Sequence, residues 1–337
     1  MLILIRKNTP KNKINKLISH LKQLNLAIKL ISDDDFDLLK ISGNCELIDE
    51  KEFKQYDFVI SVQRISSPFK FISRKNHPED SVYEIKNTFI GKDNFSIMAG
   101  PCSIESAEQL EQIAIFLQKN KIKFLRGGTY KLRTSPYSFQ GLGFEGLKIL
   151  HEVANKYNLI SISEITDASQ IADFEKYVDI IQVGTRNMQN YELLKKLGKV
   201  NKPILLKRGF ANTIEEFLYS AEYLMANGNQ QVILCERGIR TFEKYTRATL
   251  DFACIPIIKK ISHLPIIVDP SHSSGVFELV SPMSLASLAC GADGLILEIN
   301  NQPEKALSDG AQALKFKTFK KLLVDLNKMA KVVHKKI

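Results

Sequence analysis

The chain has 337 residues, 44% of them hydrophobic and 25% charged, which is ordinary globular composition and more length than one average domain needs. No apolar run reaches the roughly 20 residues of a membrane span, and the short start Met1-Leu2-Ile3-Leu4-Ile5-Arg6 has no secretory pattern, so a cytoplasmic protein is expected. The formal charge of +10 would suit nucleic acid, an anionic membrane or small anions, but no nucleic-acid motif or zinc-finger spacing is present, and the five scattered cysteines make no disulfide framework.

Residues 1–65 differ in pattern from the rest. Residues 2–6 read as a strand. Residues 12–24 carry Ile14, Leu17, Ile18, Leu21 and Leu24 at helical spacing. Residues 26–32 and 36–42 flank the turn Asp33-Asp34-Asp35 as a hairpin. A short helix over 48–56 and a strand over 58–63 complete the order β-α-β-β-α-β, that of a ferredoxin-like α+β domain. Such a module binds an effector, pairs with its own copy, or merely packs; the pattern leaves these open. Residues 66–93 read as a linker, with turn signals at Ser66-Ser67-Pro68, Asn76-His77-Pro78 and Gly91-Lys92-Asp93.

From residue 94 on, short apolar runs alternate with helical patterns. Strands are expected over 96–100, 124–127, 159–163, 180–183, 203–206, 231–234, 265–268 and 294–297. Helices lie between them, among them 107–119, 146–157, 214–226 and 282–289, and a last one covers 315–334. The strands lack apolar/polar alternation, as in a parallel sheet covered by helices on both faces. Eight strands each followed by a helix predict a closed (β/α)₈ TIM barrel, which takes about 250 residues. The absence of Gly-x-Gly-x-x-Gly after an early strand weakens a dinucleotide-binding reading.

Each expected strand ends at, or just before, a residue with chemistry. In chain order these are Cys102; Arg126, with Lys131 and Arg133 beyond; Glu164; Arg186; Lys207-Arg208; Glu236-Arg237; Asp269 and His272; and Glu298, with Asp309 beyond. In a barrel these ends share one rim, where active sites form. Strands one, seven and eight become neighbours on closure, which gathers Cys102, His272, Glu298 and Asp309. A thiolate, an imidazole and two carboxylates suit one divalent first-row metal, with Mn, Fe, Co and Zn not distinguishable by ligand type. Singly, Cys102 could be a buried thiol and His272 a hydrogen-bonded loop residue. The opposite arc carries Arg186, Lys207 and Arg237, with Arg126 and Lys131 beside it. Such crowded cations call for a polyanion bearing phosphate and carboxylate groups. The loop Lys131-Leu132-Arg133-Thr134-Ser135 offers cations, hydroxyls and backbone N–H groups, either a second phosphate site or an ordinary polar loop.

Several segments together resemble the DAHP synthases (3-deoxy-D-arabino-heptulosonate 7-phosphate synthases) of the type I β subfamily. They are Ala99-Gly100-Pro101-Cys102-Ser103-Ile104-Glu105, Arg126-Gly127-Gly128-Thr129-Tyr130-Lys131, Arg133-Thr134-Ser135-Pro136-Tyr137-Ser138-Phe139-Gln140-Gly141, Gly184-Thr185-Arg186-Asn187-Met188-Gln189-Asn190, Leu206-Lys207-Arg208-Gly209, Cys235-Glu236-Arg237-Gly238, Val268-Asp269-Pro270-Ser271-His272 and Leu307-Ser308-Asp309-Gly310. They span nearly the whole barrel in order. Residues 1–65 resemble, in pattern only, the ferredoxin-like regulatory extension of some members.

The resemblance implies condensation of phosphoenolpyruvate with D-erythrose 4-phosphate and water to give DAHP and phosphate, the first step of the shikimate pathway to aromatic amino acids. It implies Cys102, His272, Glu298 and Asp309 as metal ligands. Arg186, Lys207 and Arg237 would take the phosphate of phosphoenolpyruvate, and Arg126 and Lys131 its carboxylate. Arg133, Thr134 and Ser135 would hold the aldose phosphate. Lys131 would help protonate the aldehyde oxygen, Glu164 orient water, and Asp269 act near the metal. A homotetramer and an aromatic amino acid effector acting through residues 1–65 are implied by the family alone. The chain departs from the family pattern at Leu132, usually Pro, in Ser273-Ser274-Gly275-Val276-Phe277, which lacks a basic residue, and at Asn300, where a His-Pro pair is common. Loss of the proline's fixed φ bears on the aldose-binding loop.

Three other readings compete. 3-Deoxy-D-manno-octulosonate 8-phosphate synthase, which uses arabinose 5-phosphate, shares much of this pattern. The Lys-x-Arg-Thr-Ser-Pro run and the N-terminal module favour the heptulosonate enzyme. A Schiff-base aldolase at Lys207 is less compatible with the surrounding arginines. A non-catalytic scaffold finds no support, since every expected position is filled.

Overall fold

The alternating run at the N-terminus forms β1 (Leu2–Arg6), with Ile3 and Ile5 fully buried. The structure, a computed structural model, describes residues 1–24, 26–32, 36–43, 45, 48–63 and 69–337. The expected turns at Asp33-Asp34-Asp35 and Ser66-Ser67-Pro68 lie outside the described residues. The chain divides into two compact units, Met1–Lys70 and Phe71–Ile337.

In the first unit β1 is followed by α1 (Lys11–Gln23), β2 (Ala27–Ser32), β3 (Phe36–Ser42), α2 (Lys51–Lys54) and β4 (Val59–Gln63). The sheet runs β2-β3-β1-β4, antiparallel at each pairing. α1 lays Ile14, Leu17 and Leu21 on Ile3, Ile5, Leu39 and Ile41, and Phe53 of the single-turn α2 completes the core. This is the expected β-α-β-β-α-β order.

The second unit opens with structure where a linker was expected. Ile72 is fully buried, and β5 (Tyr83–Ile85) pairs with β6 (Thr88–Ile90) as a hairpin. Lys86 and Asn87 both adopt positive φ at its turn, the geometry of a two-residue hairpin loop. Tyr83, Ile85 and Ile90 join the barrel's interior cluster. Ser96, the first residue of the next strand, donates to the Phe89 carbonyl, and Lys86 pairs with Asp179 at 2.8 Å. The hairpin therefore covers the N-terminal ends of the barrel strands.

Those strands are β7 (Ser96–Gly100), β8 (Phe124–Arg126), β9 (Ile160–Ile165), β10 (Ile180–Val183), β11 (Ile204–Lys207), β12 (Val232–Glu236), β13 (Ile266–Val268) and β14 (Gly294–Glu298). They close in the order β10-β11-β12-β13-β14-β7-β8-β9, every pairing parallel. Helices α3 (Ala107–Lys119), α4 (Gly143–Lys156), α5 (Ile171–Tyr177), α6 (Tyr191–Leu197), α7 (Ile214–Ala226), α8 (Cys254–Ile261), the short α9 (Pro270–Ser274) with α10 (Phe277–Ala289), and α11 (Phe316–Val332) follow the strands in turn. This is the predicted (β/α)₈ barrel. α10 begins before Pro282, which sits inside the helix instead of opening it. At that position it forfeits the backbone bond to the Glu278 carbonyl and crowds that oxygen.

Strand parity positions the site. Met98, Phe124, Ile160, Ile162, Ile180, Leu205, Ile233, Cys235, Ile267 and Ile296 pack together as the barrel interior. Side chains two residues apart share a face. Arg126, Glu164, Gln182, Lys207, Arg237, Asp269 and Glu298 each stand two residues beyond one of these, so the interior ladders continue into the mouth as polar residues.

Candidate active site

Parity also separates neighbours in sequence. Lys207 and Arg237 enter the mouth, whereas Arg208 and Glu236 turn to the helix side. There the Arg208 guanidinium pairs with Glu236 at 2.9 Å and Asp251 at 2.9 Å, and Cys254 of α8 lies against the same carboxylate. That pair is buried wall structure.

One cavity at the mouth is lined by Cys102, Arg126, Lys131, Arg133, Thr134, Ser135, Glu164, Arg186, Lys207, Arg237, His272 and Asp309, among others. Asp269 and Glu298 lie directly beneath, 1% exposed each. The structure thus brings every residue singled out from the sequence to one end of the barrel.

Single ligand atoms of Cys102, His272, Glu298 and Asp309 all lie within 4.8 Å of one another. The Cys102 thiol is 3.2 Å from Asp309 Oδ2, and His272 Nε2 is 3.3 Å from Glu298 Oε1. The Lys131 ammonium lies against the Cys102 sulfur and 3.0 Å from Asp309 Oδ2. Arg126 Nη1 donates to Glu298 Oε1 and to the Pro101 carbonyl, both at 2.9 Å. Asp269 accepts from His272 Nδ1 at 2.7 Å and also from the Lys207 ammonium. With Nδ1 donating, Nε2 carries the lone pair.

Burial and charge set the protonation states. Burial, with Glu298 beside it, pushes the Cys102 thiol up to about 12. Burial works against the charge on Lys131, but Cys102, Glu298 and Asp309 outweigh it and raise its pKa. Asp309 and Glu298 would be raised by burial; Lys131 and His272 hold the first, and His272 and Arg126 the second, below the ordinary carboxylate value. Burial lowers His272, against the pull of Asp269 and Glu298. A neutral imidazole facing a carboxylate presents two acceptors with no proton between them. Two acceptors, a second carboxylate and a thiol converging on one point are a donor set for a divalent cation, and the Lys131 ammonium already stands against two of the four as a positive group. The residues therefore fit a metal.

The basic arc is built around a ring. Phe210 lies beneath three guanidiniums, at 5.3 Å from Arg186, 5.4 Å from Arg237 and 4.4 Å from Arg240. Arg237 is further held by donation to the His272 carbonyl at 3.0 Å, and burial lowers its pKa. Arg186 reaches Thr134 Oγ1 at 3.5 Å, which joins the two expected anion sites. Arg133 Nη1 is buried without a hydrogen-bond partner, as is Arg126 Nε. Glu164 accepts from Gln182 at 2.9 Å. A Cβ on Gly184 would stand 1.9 Å from Glu164 Oε1, so glycine is required there for the carboxylate to keep its place.

Several contributors were not anticipated, Gln182 and Arg240 above among them. Gln312 donates to Glu298 Oε2 at 2.7 Å, Arg247 approaches Asp309 at 3.7 Å, Ser271 accepts from the Glu298 backbone N–H at 3.0 Å, and Phe210 gathers the arginines. Ser271 and Phe210 adjoin motifs already noted, Pro270-Ser271-His272 and Lys207-Arg208-Gly209, and were findable there. Gln312, close behind Leu307-Ser308-Asp309-Gly310, was findable in the same way, whereas Arg247 lies in a loop with no such signal.

A closed barrel with one charged mouth, holding a metal-type donor set beside an arc of cations, defines a (β/α)₈-barrel enzyme for anionic substrates. The chain belongs to the DAHP synthetase I family, whose profile matches residues 57–334. It is 48% identical over all 337 residues, and over the full length of both proteins, to a phospho-2-dehydro-3-deoxyheptonate aldolase of Thermotoga maritima. The crystal structure of a Thermotoga maritima DAHP synthase superposes with a TM-score of 0.87 at 47% identity, covering 99% of this chain and 98% of that one. More distantly, it is 29% identical to a 2-dehydro-3-deoxyphosphooctonate aldolase of Koribacter versatilis, over 74% of this chain and 96% of that protein.

Proposed function

We propose that the barrel mouth carries out the DAHP synthase reaction with the residues gathered there. In that reaction phosphoenolpyruvate, D-erythrose 4-phosphate and water give DAHP and inorganic phosphate, the entry to aromatic amino acid biosynthesis. Cys102, His272, Glu298 and Asp309 would hold one divalent ion; the mixed ligand set does not choose among Mn, Fe, Co and Zn. When bound, that ion supplies a Lewis acid for the aldehyde oxygen of the aldose.

The chain's own residues do the rest. Arg186, Lys207 and Arg237 bind the phosphate of phosphoenolpyruvate, and Arg126 and Lys131 its carboxylate. Arg133, Thr134 and Ser135 take the phosphate of the aldose; the unpartnered Arg133 Nη1 supports an anion there. Held so, the enol carbon forms the new C–C bond to the aldehyde carbon. Lys131 delivers a proton to the aldehyde oxygen. Glu164 orients the water that adds at the carbon bearing the phosphate; one proton of that water returns to Lys131, and the other leaves with the phosphate as the carbon–phosphate-oxygen bond breaks and the ketone of DAHP forms. Asp269 fixes the His272 tautomer and neutralises Lys207. Two anions that would repel in water are brought together by fixed cations, so orientation and charge neutralisation carry much of the rate.

The observation that carries this reading is a group of four potential ligand atoms within 4.8 Å of one another, three of them lining and that of Glu298 just beneath the cavity that Arg126, Lys131, Arg133, Arg186, Lys207 and Arg237 also line. The test is phosphoenolpyruvate consumption with erythrose 4-phosphate and, separately, arabinose 5-phosphate, before and after chelation. Metal-dependent turnover with the four-carbon sugar is expected. Preference for the five-carbon sugar, or full activity after chelation, contradicts it.

Among the described residues no helix is long and apolar enough to cross a membrane; a cytoplasmic, homotetrameric enzyme of the type I β subfamily is the proposal that accompanies this function. An aromatic amino acid effector acting through the first unit belongs to the same proposal: a truncation without residues 1–65 should keep activity and lose inhibition by it.

A further inference from the structure

We infer that Gln312 and Arg247 form an outer strap that orients both carboxylates of the four-residue ligand group, which makes them positioning residues for the divalent ion. The inference rests on the metal reading above. Gln312 is 2% exposed and stands three residues beyond Asp309 on a 3₁₀ turn (Gly310–Gln312). Its Nε2 donates to Glu298 Oε2 at 2.7 Å, and its Oε1 accepts from Arg247 Nη1 at 3.0 Å. A carboxylate only accepts and a guanidinium only donates, so the amide can sit only this way round. The same Arg247 nitrogen is 3.7 Å from Asp309 Oδ1. A continuous path therefore runs Glu298–Gln312–Arg247–Asp309, from the end of β14 to the loop beyond it.

The path divides the labour of each carboxylate. Glu298 gives Oε2 to the strap and keeps Oε1 facing His272 Nε2 at 3.3 Å. Asp309 turns Oδ1 toward Arg247 and keeps Oδ2 facing the Cys102 sulfur at 3.2 Å. Asp309 also has a left-handed backbone, φ 49°, uncommon for a residue other than glycine. The strap is anchored to the helix that carries His272, because the Arg247 and Ala248 N–H groups donate to the Ser274 and Ser273 carbonyls of α9 at 3.1 and 2.8 Å. Groups that orient metal ligands in this way are worth roughly 10- to 100-fold in metal affinity.

The test is a Co²⁺ titration of the full chain, read by thiolate-to-metal absorption and by competition with a chelator. The variants are Gln312→Met, Gln312→Glu, Arg247→Met and Arg247→Lys, with Cys102→Ser as control. Gln312→Met should weaken Co²⁺ binding about 10- to 100-fold while the metal-free protein unfolds near the parent temperature. Gln312→Glu should be as weak, since it replaces the donor to Glu298 by an acceptor. Arg247→Met should show a smaller loss, partly restored in Arg247→Lys, and the double variant Gln312→Met/Arg247→Met should lose less than the sum, because both act through one path. Arg247 has a side chain 43% exposed, so its replacement decides the matter alone if Gln312→Met does not fold. Co²⁺ affinity within twofold of the parent in Arg247→Met and in any folded Gln312→Met overturns the strap. Co²⁺ binding that is indifferent to Cys102→Ser sinks the ligand assignment itself, which distinguishes the two failures.

Discussion

Asp269 accepts two hydrogen bonds from His272, Nδ1 to Oδ2 at 2.7 Å and the backbone N–H to Oδ1 at 2.9 Å. The first selects the tautomer that leaves Nε2 free, and the second fixes the start of α9. The same Oδ2 receives the Lys207 ammonium. One buried carboxylate therefore serves both halves of the site, the imidazole of the proposed ligand group and a cation of the basic arc. Its pKa lies well below the ordinary value: burial alone would raise it, but His272 and Lys207 outweigh burial.

Asp269→Asn tests this bridge. The amide can no longer pair with both groups, so the imidazole loses its fixed tautomer and Lys207 is left buried beside a neutral partner. Metal affinity should fall about 10- to 100-fold. Stability should fall by about 3 kcal/mol, the lower end for a buried charge deprived of its partner. A chelator-competition titration and urea unfolding of the metal-free protein measure the two effects separately. Unchanged values in both would mean the carboxylate is a bystander.

Phe210→Leu addresses the other arc. The ring faces the guanidiniums of Arg186, Arg237 and Arg240. Leucine keeps much of the volume but removes the π face that gathers them, an interaction worth about 1 kcal/mol at a partly desolvated site. The KM for phosphoenolpyruvate should rise about fivefold with kcat nearly unchanged, because the loss falls on positioning of a bound anion. A drop in kcat at unchanged KM would point to a role in the chemical step instead.

The barrel and its rim were legible in sequence for a physical reason. Strands buried on both faces must be continuous apolar runs, so their ends are marked where polarity begins, and the polar residues there lie at or beside the mouth. Arg126, Glu164, Lys207 and Glu298 were all found in this way. Which of two adjacent polar residues faces inward was not legible, because parity depends on register. Lys207 and Arg208 look equivalent in the chain, yet Arg208 pairs with Glu236 behind the barrel wall. The hairpin of β5 and β6 was hidden because its strands have three residues each and its turn uses Lys86 at positive φ, where Asn or Gly would have signalled it. Arg247 escaped because a side chain in a long loop reaches a site by tertiary packing, and no periodicity records that.

His263 should give the protein an acid-sensitive stability. It is 3% exposed, its Nε2 is 2.8 Å from the Phe71 carbonyl, its Nδ1 is 2.7 Å from Ser81 Oγ, and its ring stacks on His77 at 4.2 Å. Burial lowers its pKa below 6.5, and His77 and Arg74 add to the effect, opposed by the Phe71 carbonyl and Asp80. The unfolded chain takes up a proton near pH 6.5, while the folded protein resists it to lower pH. The folded state therefore binds fewer protons in that window. Stability from this group is complete above about pH 6.5 and declines as the pH falls toward the lowered folded value. Urea midpoints measured from pH 7.5 to 5 should decrease, with a shallower slope in His263→Gln. Parallel slopes for the two proteins would remove His263 from the account.

Lys131→Met separates two roles that the parent structure superimposes. The ammonium lies against Cys102 and 3.0 Å from Asp309 Oδ2, so it would compete with a divalent ion held there for two of its proposed ligands and repel it as a like charge. It is also the residue proposed to protonate the aldehyde oxygen. Removing it should therefore move two observables in opposite directions. Divalent-ion affinity should rise, by about tenfold if the relief is about 1.4 kcal/mol of like-charge repulsion in a partly buried setting. Turnover should fall by about 10²- to 10⁴-fold, the usual contribution of a general acid. Binding is read by chelator competition and turnover at saturating metal, so neither measurement contaminates the other. If affinity and turnover fall together, Lys131 supports the ligand group instead of competing with the ion. If affinity rises and turnover is retained, the proton comes from elsewhere, and water at the cavity mouth becomes the donor to examine.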